Sequence, residues 1–146
     1  MIKSKKLNRF KNLQHAFFNR KGGKSLGIFK SLNCGPGSSD NKKNVLKNLQ
    51  IVQKKIKTKL KKIILLNQIH SNKFHFVDKK LKLKNYNFEG DARITNKKKF
   101  PIAILTADCA PILIYDEKET RIAAIHAGWK GAFKGIIKRT LSLIHI

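Results

Sequence analysis

Apolar positions along the chain follow two periods. In "SSDNKKNVLKNLQIVQKKIKTKL" (38–60), Val45, Leu49, Val52, Ile56 and Leu60 recur at spacings of 4, 3, 4 and 4. That is one face of a helix, with Ser39 or Asp40 as its natural N-cap. Near the end, "GAFKGIIKRTL" (131–141) sets Phe133, Ile136, Ile137 and Leu141 on one helical face, with Lys134, Lys138 and Arg139 mostly opposite. Other stretches have strand length. "KIILLNQIHS" (62–71) and "KFHFVD" (73–78) read as two strands joined at Ser71–Asn72. "GDARIT" (90–95) follows a polar stretch, and the near-continuous run "FPIAILTAD" (100–108) predicts a central strand. "PILIYD" and "RIAAIHA" predict a hairpin around "EKET", while "HAFFNRKGGKSLGIFKSLNCG" (15–35) reads as short strands broken at glycines. Helices and strands alternate without strict order, which predicts one layered α/β or α+β domain.

Composition changes this picture little. The 146 residues suffice for a domain burying roughly 70% of its unfolded surface, and 41% apolar content is that of a globular chain. The formal charge of +25 stands out, but only five of the 33 basic residues are Arg. Lys, Asn and Ile share adenine- and thymine-rich codons, so genome composition accounts for much of the excess. The lysines fall in dispersed runs such as "QKKIKTKLKK", "VDKKLKLK" and "NKKK". Solvated faces explain that spread better than a nucleic-acid groove, which favours Arg interleaved with aromatics. The expectation is therefore no specific nucleic-acid partner, though anionic metabolites would be attracted at low salt. No apolar run reaches membrane-span length. Two cysteines make no disulfide framework, and the basic N-terminus lacks a continuous apolar segment. A cytoplasmic setting is expected.

Three apolar stretches end on a metal-capable side chain: His70 in "NQIHS", Cys109 in "ADCAP" and His126 in "AIHAGWKG". Two imidazoles and a thiolate can hold zinc with one position open, the arrangement of a catalytic site. Asp108 could serve as the acceptor that orients a ligand. The gaps of 39 and 17 residues match no compact zinc signature. Taken alone, Cys109 and His126 read equally as core residues, or as a metal-free nucleophile pair. Cys34 reads as structural, Trp129 as a packing anchor, and His15, His75 and His145 as solvated or packed.

"NRKGGKS" with "SLNCG" (19–35), "NQIHS" (67–71), "GDARIT" (90–95), "TADCAPILIYD" (106–116) and "IAAIHAGWKG" (122–131) together resemble the laccase-domain family. These proteins are also called multicopper polyphenol oxidoreductases, with bacterial members described as purine nucleoside phosphorylases or peptidoglycan editing factors. The resemblance implies an α+β fold with a mixed sheet layered with helices. It implies His70, Cys109 and His126 as zinc ligands and catalytic residues, with copper as an alternative metal, and Arg20, Asn33 and Asp108 as substrate contacts. The implied activity is phosphorolysis of adenosine, inosine or methylthioadenosine, with adenosine deamination as a side activity; the implied partners are purine nucleosides and phosphate. A hydrolytic peptidoglycan-precursor editing enzyme using the same site is the alternative, and a basic nucleic-acid module the non-enzymatic one. The chain shows too few His and Cys for several copper sites.

Two departures from the family bear on function. The position after Asn48, commonly an anion-binding Arg in the family, is Leu49, so phosphate would fall to Arg20 or a lysine. "LSLIHI" (141–146) does not resemble the family and is similar to the translation of a transposon end used in preparing sequencing libraries. The expectation is a family domain over 1–140, incomplete at its C-terminus and inactive alone, with a non-native tail at 141–146.

Overall fold

The computed structural model describes residues 1–58, 63–77 and 88–144. Leu60, Asp78 and His145, and the lysines at 79–84, lie outside the described residues. The chain forms two compact units, Met1–Lys62 and Ile63–Ile146.

The first unit is built around helix α1, Lys42–Lys55. The helical spacing was legible, but the cap is Asn41 rather than Ser39 or Asp40: its side chain accepts from the Lys43 amide. Val45 and Val52 are buried on the inner face. The strands expected over 15–35 do not form. Apart from an isolated antiparallel bridge between Ile2 and Phe17 and a short 3-10 turn at Gly27–Phe29, this stretch is irregular. Its amides find other acceptors. Ser31 and Leu32 both donate to the Arg20 carbonyl, and the Lys24 amide donates to the Asn48 side chain at 2.7 Å. Asn48 Nδ2 in turn lies within hydrogen-bond reach of Ser25 Oγ and the carbonyls of Ser31 and Asn33. One buried amide side chain thus does for this loop what a neighbouring strand would have done.

The second unit is a four-stranded mixed sheet in the order β1-β2-β4-β3. Its strands are β1 Phe74–Val77, β2 Ala92–Thr95, β3 Ala110–Asp116 and β4 Arg121–Ala127. β1 runs parallel to β2; β2–β4 and β4–β3 are antiparallel. The hairpin expected from "PILIYD" and "RIAAIHA" is β3–β4, with residues 117–120 as the turn. With helices α2, Trp129–Phe133, and α3, Ile136–Ile144, the fold is α+β. Ile136 and Ile144 of α3 are fully buried against Ala92, Ile94, Ala123, Ile125 and Ala127 of the central strands. Each such isoleucine contributes about 1.5–3 kcal/mol of transfer free energy.

Three expectations fail in this unit. "FPIAILTAD" is not the central strand; β2 and β4 hold that place. Pro101 offers no amide, and the amide and carbonyl of Leu105 are both taken by the Gln68 side chain, at 2.7 and 2.6 Å. Among the described residues, "FPIAILTAD" and "KIILLNQIHS" form no strand and make isolated parallel bridges only, Ile64 to Ile102 and Asn67 to Glu89. The last helical face is also broken. Gly135, at φ +77°, ends α2 and restarts the chain as α3. Phe133 is left 92% exposed instead of sharing a face with Ile136.

Candidate metal centre

The sheet register sets the positions of two donors. β2 and β4 pair through Ala92 and Ile125, so Asp91 and His126 meet one step further on, where the His126 amide donates to the Asp91 carbonyl at 2.7 Å. β3 and β4 pair through Ala110 and Ala127, so Cys109 and Gly128 meet at the end of the hairpin. Cys109 closes the bend before β3, where the Thr106 hydroxyl donates to its carbonyl. His70 arrives from a separate turn and adopts a left-handed backbone, φ +56°.

The three side chains come together. His70, Cys109 and His126 each present one donor atom, all within 4.8 Å of one another. The Cys109 sulfur lies 3.7 Å from His70 Nε2. The two imidazoles meet edge to face with centroids 4.8 Å apart. His126 is buried, Cys109 half-buried and His70 exposed, so the cluster is open on one side. Gly128 lines its back: a Cβ there would overlap His70 Cδ2 and come within 3.3 Å of the Cys109 sulfur. Only glycine permits that approach.

Asp91 lies beneath the cluster with 0% exposure. Its Oδ1 takes the His70 amide at 3.0 Å and faces His126 Nδ1 at 2.8 Å. Its Oδ2 takes the Ser71 amide at 2.6 Å and the Ser71 hydroxyl at 2.7 Å. Burial alone would push this carboxyl up; the hydrogen bonds from His126, Ser71 and the His70 amide outweigh it and hold Asp91 below the ordinary carboxylate range. Among the described residues, the carboxylate in contact with both His70 and His126 is Asp91 rather than Asp108. Asp108 is exposed in the bend beside Cys109. In the sequence Asp91 is marked only as an acid flanking the short strand of "GDARIT", which by itself assigns it no role.

Arg20 and Asn33 belong to the first unit, where Arg20 Nε donates to the Lys30 carbonyl at 2.7 Å and Asn33 Nδ2 donates to Ser38 Oγ and Asp40 Oδ2. Cys34 joins no donor group among the described residues, and burial pushes its thiol up to about 11. Trp129 is not a packing anchor: it is 74% exposed, with Lys130 Nζ 5.3 Å from its ring centroid.

Residues 14–145 match the family model of multi-copper polyphenol oxidoreductase laccase. The chain belongs to that family. Within this laccase family, a purine nucleoside phosphorylase of Bacteroides thetaiotaomicron is 32% identical over 97% of the chain and 54% of its own length. One of Haemophilus influenzae is 35% identical over 87% of the chain and 50% of its own length. Among solved structures, the Bacillus licheniformis hypothetical protein YfiH superposes with a TM-score of 0.78 at 28% identity, covering 85% of this chain and 49% of that one. A Neisseria meningitidis protein gives 0.74 at 34% identity, covering 87% and 50%. The chain thus spans about half the length of the laccase-family relatives it matches. Among its described residues, no helix is long and apolar enough to cross a membrane.

Proposed function

We propose that His70, Cys109 and His126 form the zinc centre of a purine nucleoside phosphorylase. The observation that carries this is the convergence of three donors on one point, two from separate bends (His70, Cys109) and one from the end of β4 (His126), backed by a buried carboxylate. The donor set suits the ion. A tetrahedral zinc with sulfur at about 2.3 Å and nitrogen at about 2.0–2.1 Å holds those two atoms roughly 3.6 Å apart; the sulfur of Cys109 and Nε2 of His70 are 3.7 Å apart. One thiolate and two neutral imidazoles suit zinc, and suit copper less specifically. Zinc held by these residues would supply a Lewis acid able to polarise the purine or a water.

The chain's own residues hold the donors and shape the approach. Asp91 orients His126, Gly128 leaves room for His70, and the exposed edge of His70 gives access from one side. In phosphorolysis a phosphate oxygen bonds to ribose C1′ as the bond from C1′ to the base breaks, and the departing base takes up a proton. Arg20, Asn33 and Asp108 are retained as candidate contacts to phosphate and nucleoside, and adenosine deamination as a side activity. Relatives named as purine nucleoside phosphorylases support the reaction class.

The test is hypoxanthine release from inosine, with and without phosphate, alongside metal content, for the full-length form as wild type and as Cys109→Ser. The proposal expects phosphate-dependent release and joint loss of metal and activity in the variant. Release that ignores phosphate contradicts it. A second reading draws on the 3.7 Å approach of the Cys109 sulfur to His70 Nε2, which also fits a thiol nucleophile and its base, as in hydrolytic editing of a peptidoglycan precursor. Metal retained with activity lost in Cys109→Ser would favour that reading. Ammonia release from adenosine, followed in parallel, tests the deaminase activity.

A further inference from the structure

Among the described buried polar groups of the second unit, Asp91 alone touches two candidate ligands at once, by different means. Toward His126 it acts through a ring nitrogen: Oδ1 is 2.8 Å from Nδ1. A carboxylate accepts and cannot donate. The proton between the two atoms therefore sits on Nδ1, which leaves Nε2 of the neutral ring as the nitrogen free to serve as a donor. Toward His70 it acts through the backbone: Oδ1 takes the His70 amide and Oδ2 the Ser71 amide and hydroxyl. Those bonds stabilise a turn in which His70 holds the left-handed conformation, one that non-glycine residues rarely adopt. The backbone of Asp91 completes the link, its carbonyl taking the His126 amide and its amide donating to the Lys73 carbonyl at 2.9 Å.

We infer that Asp91 is the positioning residue of this centre: it selects the Nε2 donor of His126 and, with the same carboxylate, holds the turn that brings His70 to Cys109. This rests on the metal-centre reading above. It adds that the two imidazoles are not independent ligands, because one buried side chain sets both. Replacing Asp91 by Asn leaves a choice with no good outcome. With the amide NH2 toward Ser71, two donors face each other and the turn loses its acceptor. With the NH2 toward His126, Nδ1 must accept, and the proton moves to Nε2, the atom that should meet the metal.

The experiment uses the 146-residue chain and three readouts. Circular dichroism and thermal melting establish that each variant is folded. Nitrogen-15 NMR of the metal-free chain at pH 8 reads the His126 tautomer, and competition with a chromophoric chelator reads zinc affinity. Wild type should show His126 protonated at Nδ1 and bind one zinc. Asp91→Asn should bind zinc 10–100-fold more weakly, as is usual when an outer partner of a ligand is lost, with the His126 proton moved at least in part to Nε2. Ser71→Ala removes one bond to Oδ2 and should weaken zinc only a few-fold with the tautomer unchanged; it serves as the milder variant where Asp91→Asn does not fold. The arms fail separately. Wild type that binds no zinc defeats the metal-centre reading, yet the metal-free tautomer still reports on Asp91. A wild-type His126 protonated at Nε2, or folded Asp91→Asn with undiminished zinc affinity, overturns the positioning role. If only Ser71→Ala folds, a loss of zinc binding as deep as tenfold or a moved tautomer overturns it as well.

Discussion

Asn48 and Asp91 occupy matching situations in the two units. Both are fully sealed from solvent, and both tie together stretches distant in sequence. Their partners differ. Those of Asn48 are a backbone amide, two backbone carbonyls and a serine hydroxyl, so it completes a loop and ends there. Asp91 also gathers backbone amides, but its fourth partner is an imidazole nitrogen whose ring presents its other nitrogen to the cluster. A buried polar group that terminates on backbone serves the fold. One that terminates on a side chain reaching toward an open cluster serves a site. A charged carboxylate is also costlier to bury than a neutral amide, so its presence needs the several hydrogen bonds that meet it.

The contrast predicts different consequences on the two sides. The largest stability effect belongs to Asn48→Ala, which strands several buried groups at once and should cost about 3 kcal/mol in urea denaturation. Zinc binding by the fraction that remains folded should be unchanged; a parallel loss of metal affinity would break the comparison. Gly128→Ala comes next. The added methyl must displace His70, so zinc affinity should fall about tenfold or more, and a variant with wild-type affinity would show that the back wall gives way freely. A smaller effect separates the cysteines. Burial holds the Cys34 thiol up to about 11, so the thiolate fraction, and with it the iodoacetamide rate at Cys34, should be low at pH 8 and rise with pH toward that value. Fast labelling of Cys34 at pH 7, mapped by mass spectrometry, would contradict it. Least affected is Lys98→Glu, an exposed charge reversal whose effect on the melting free energy should stay within about 0.5 kcal/mol.

One main element of each unit was legible from pattern. Regular spacing exposed α1 in the first, and two apolar runs around a polar turn exposed the β3–β4 hairpin in the second. His70, Cys109 and His126 stood out as metal-capable ends of apolar stretches, but only the family resemblance raised them above core residues, because their gaps of 39 and 17 residues match no compact metal signature. What escaped was set by single long-range contacts. Gln68 reaches 37 residues along the chain to take both polar groups of Leu105, turning an apolar run into an irregular segment. Asn48 does the same for the glycine-rich stretch at 15–35. Gly135 breaks a helical face whose apolar spacing looked continuous, and so exposes Phe133. Asp91 was hidden for a related reason: its role depends on the register of β2 against β4, which no window around "GDARIT" contains. Leu141–Ile144 continue α3, with Ile144 buried.

The central claim is that one metal ion joins His70, Cys109 and His126. It is tested most directly by titrating the chain with cobalt(II) and recording the absorption spectrum. One equivalent should produce a thiolate-to-cobalt charge-transfer band with the intense visible bands of a tetrahedral site. The charge-transfer band should vanish in Cys109→Ser and persist in Cys34→Ser. A band that survives Cys109→Ser, or a chain that shows no saturation near one equivalent, would contradict the account.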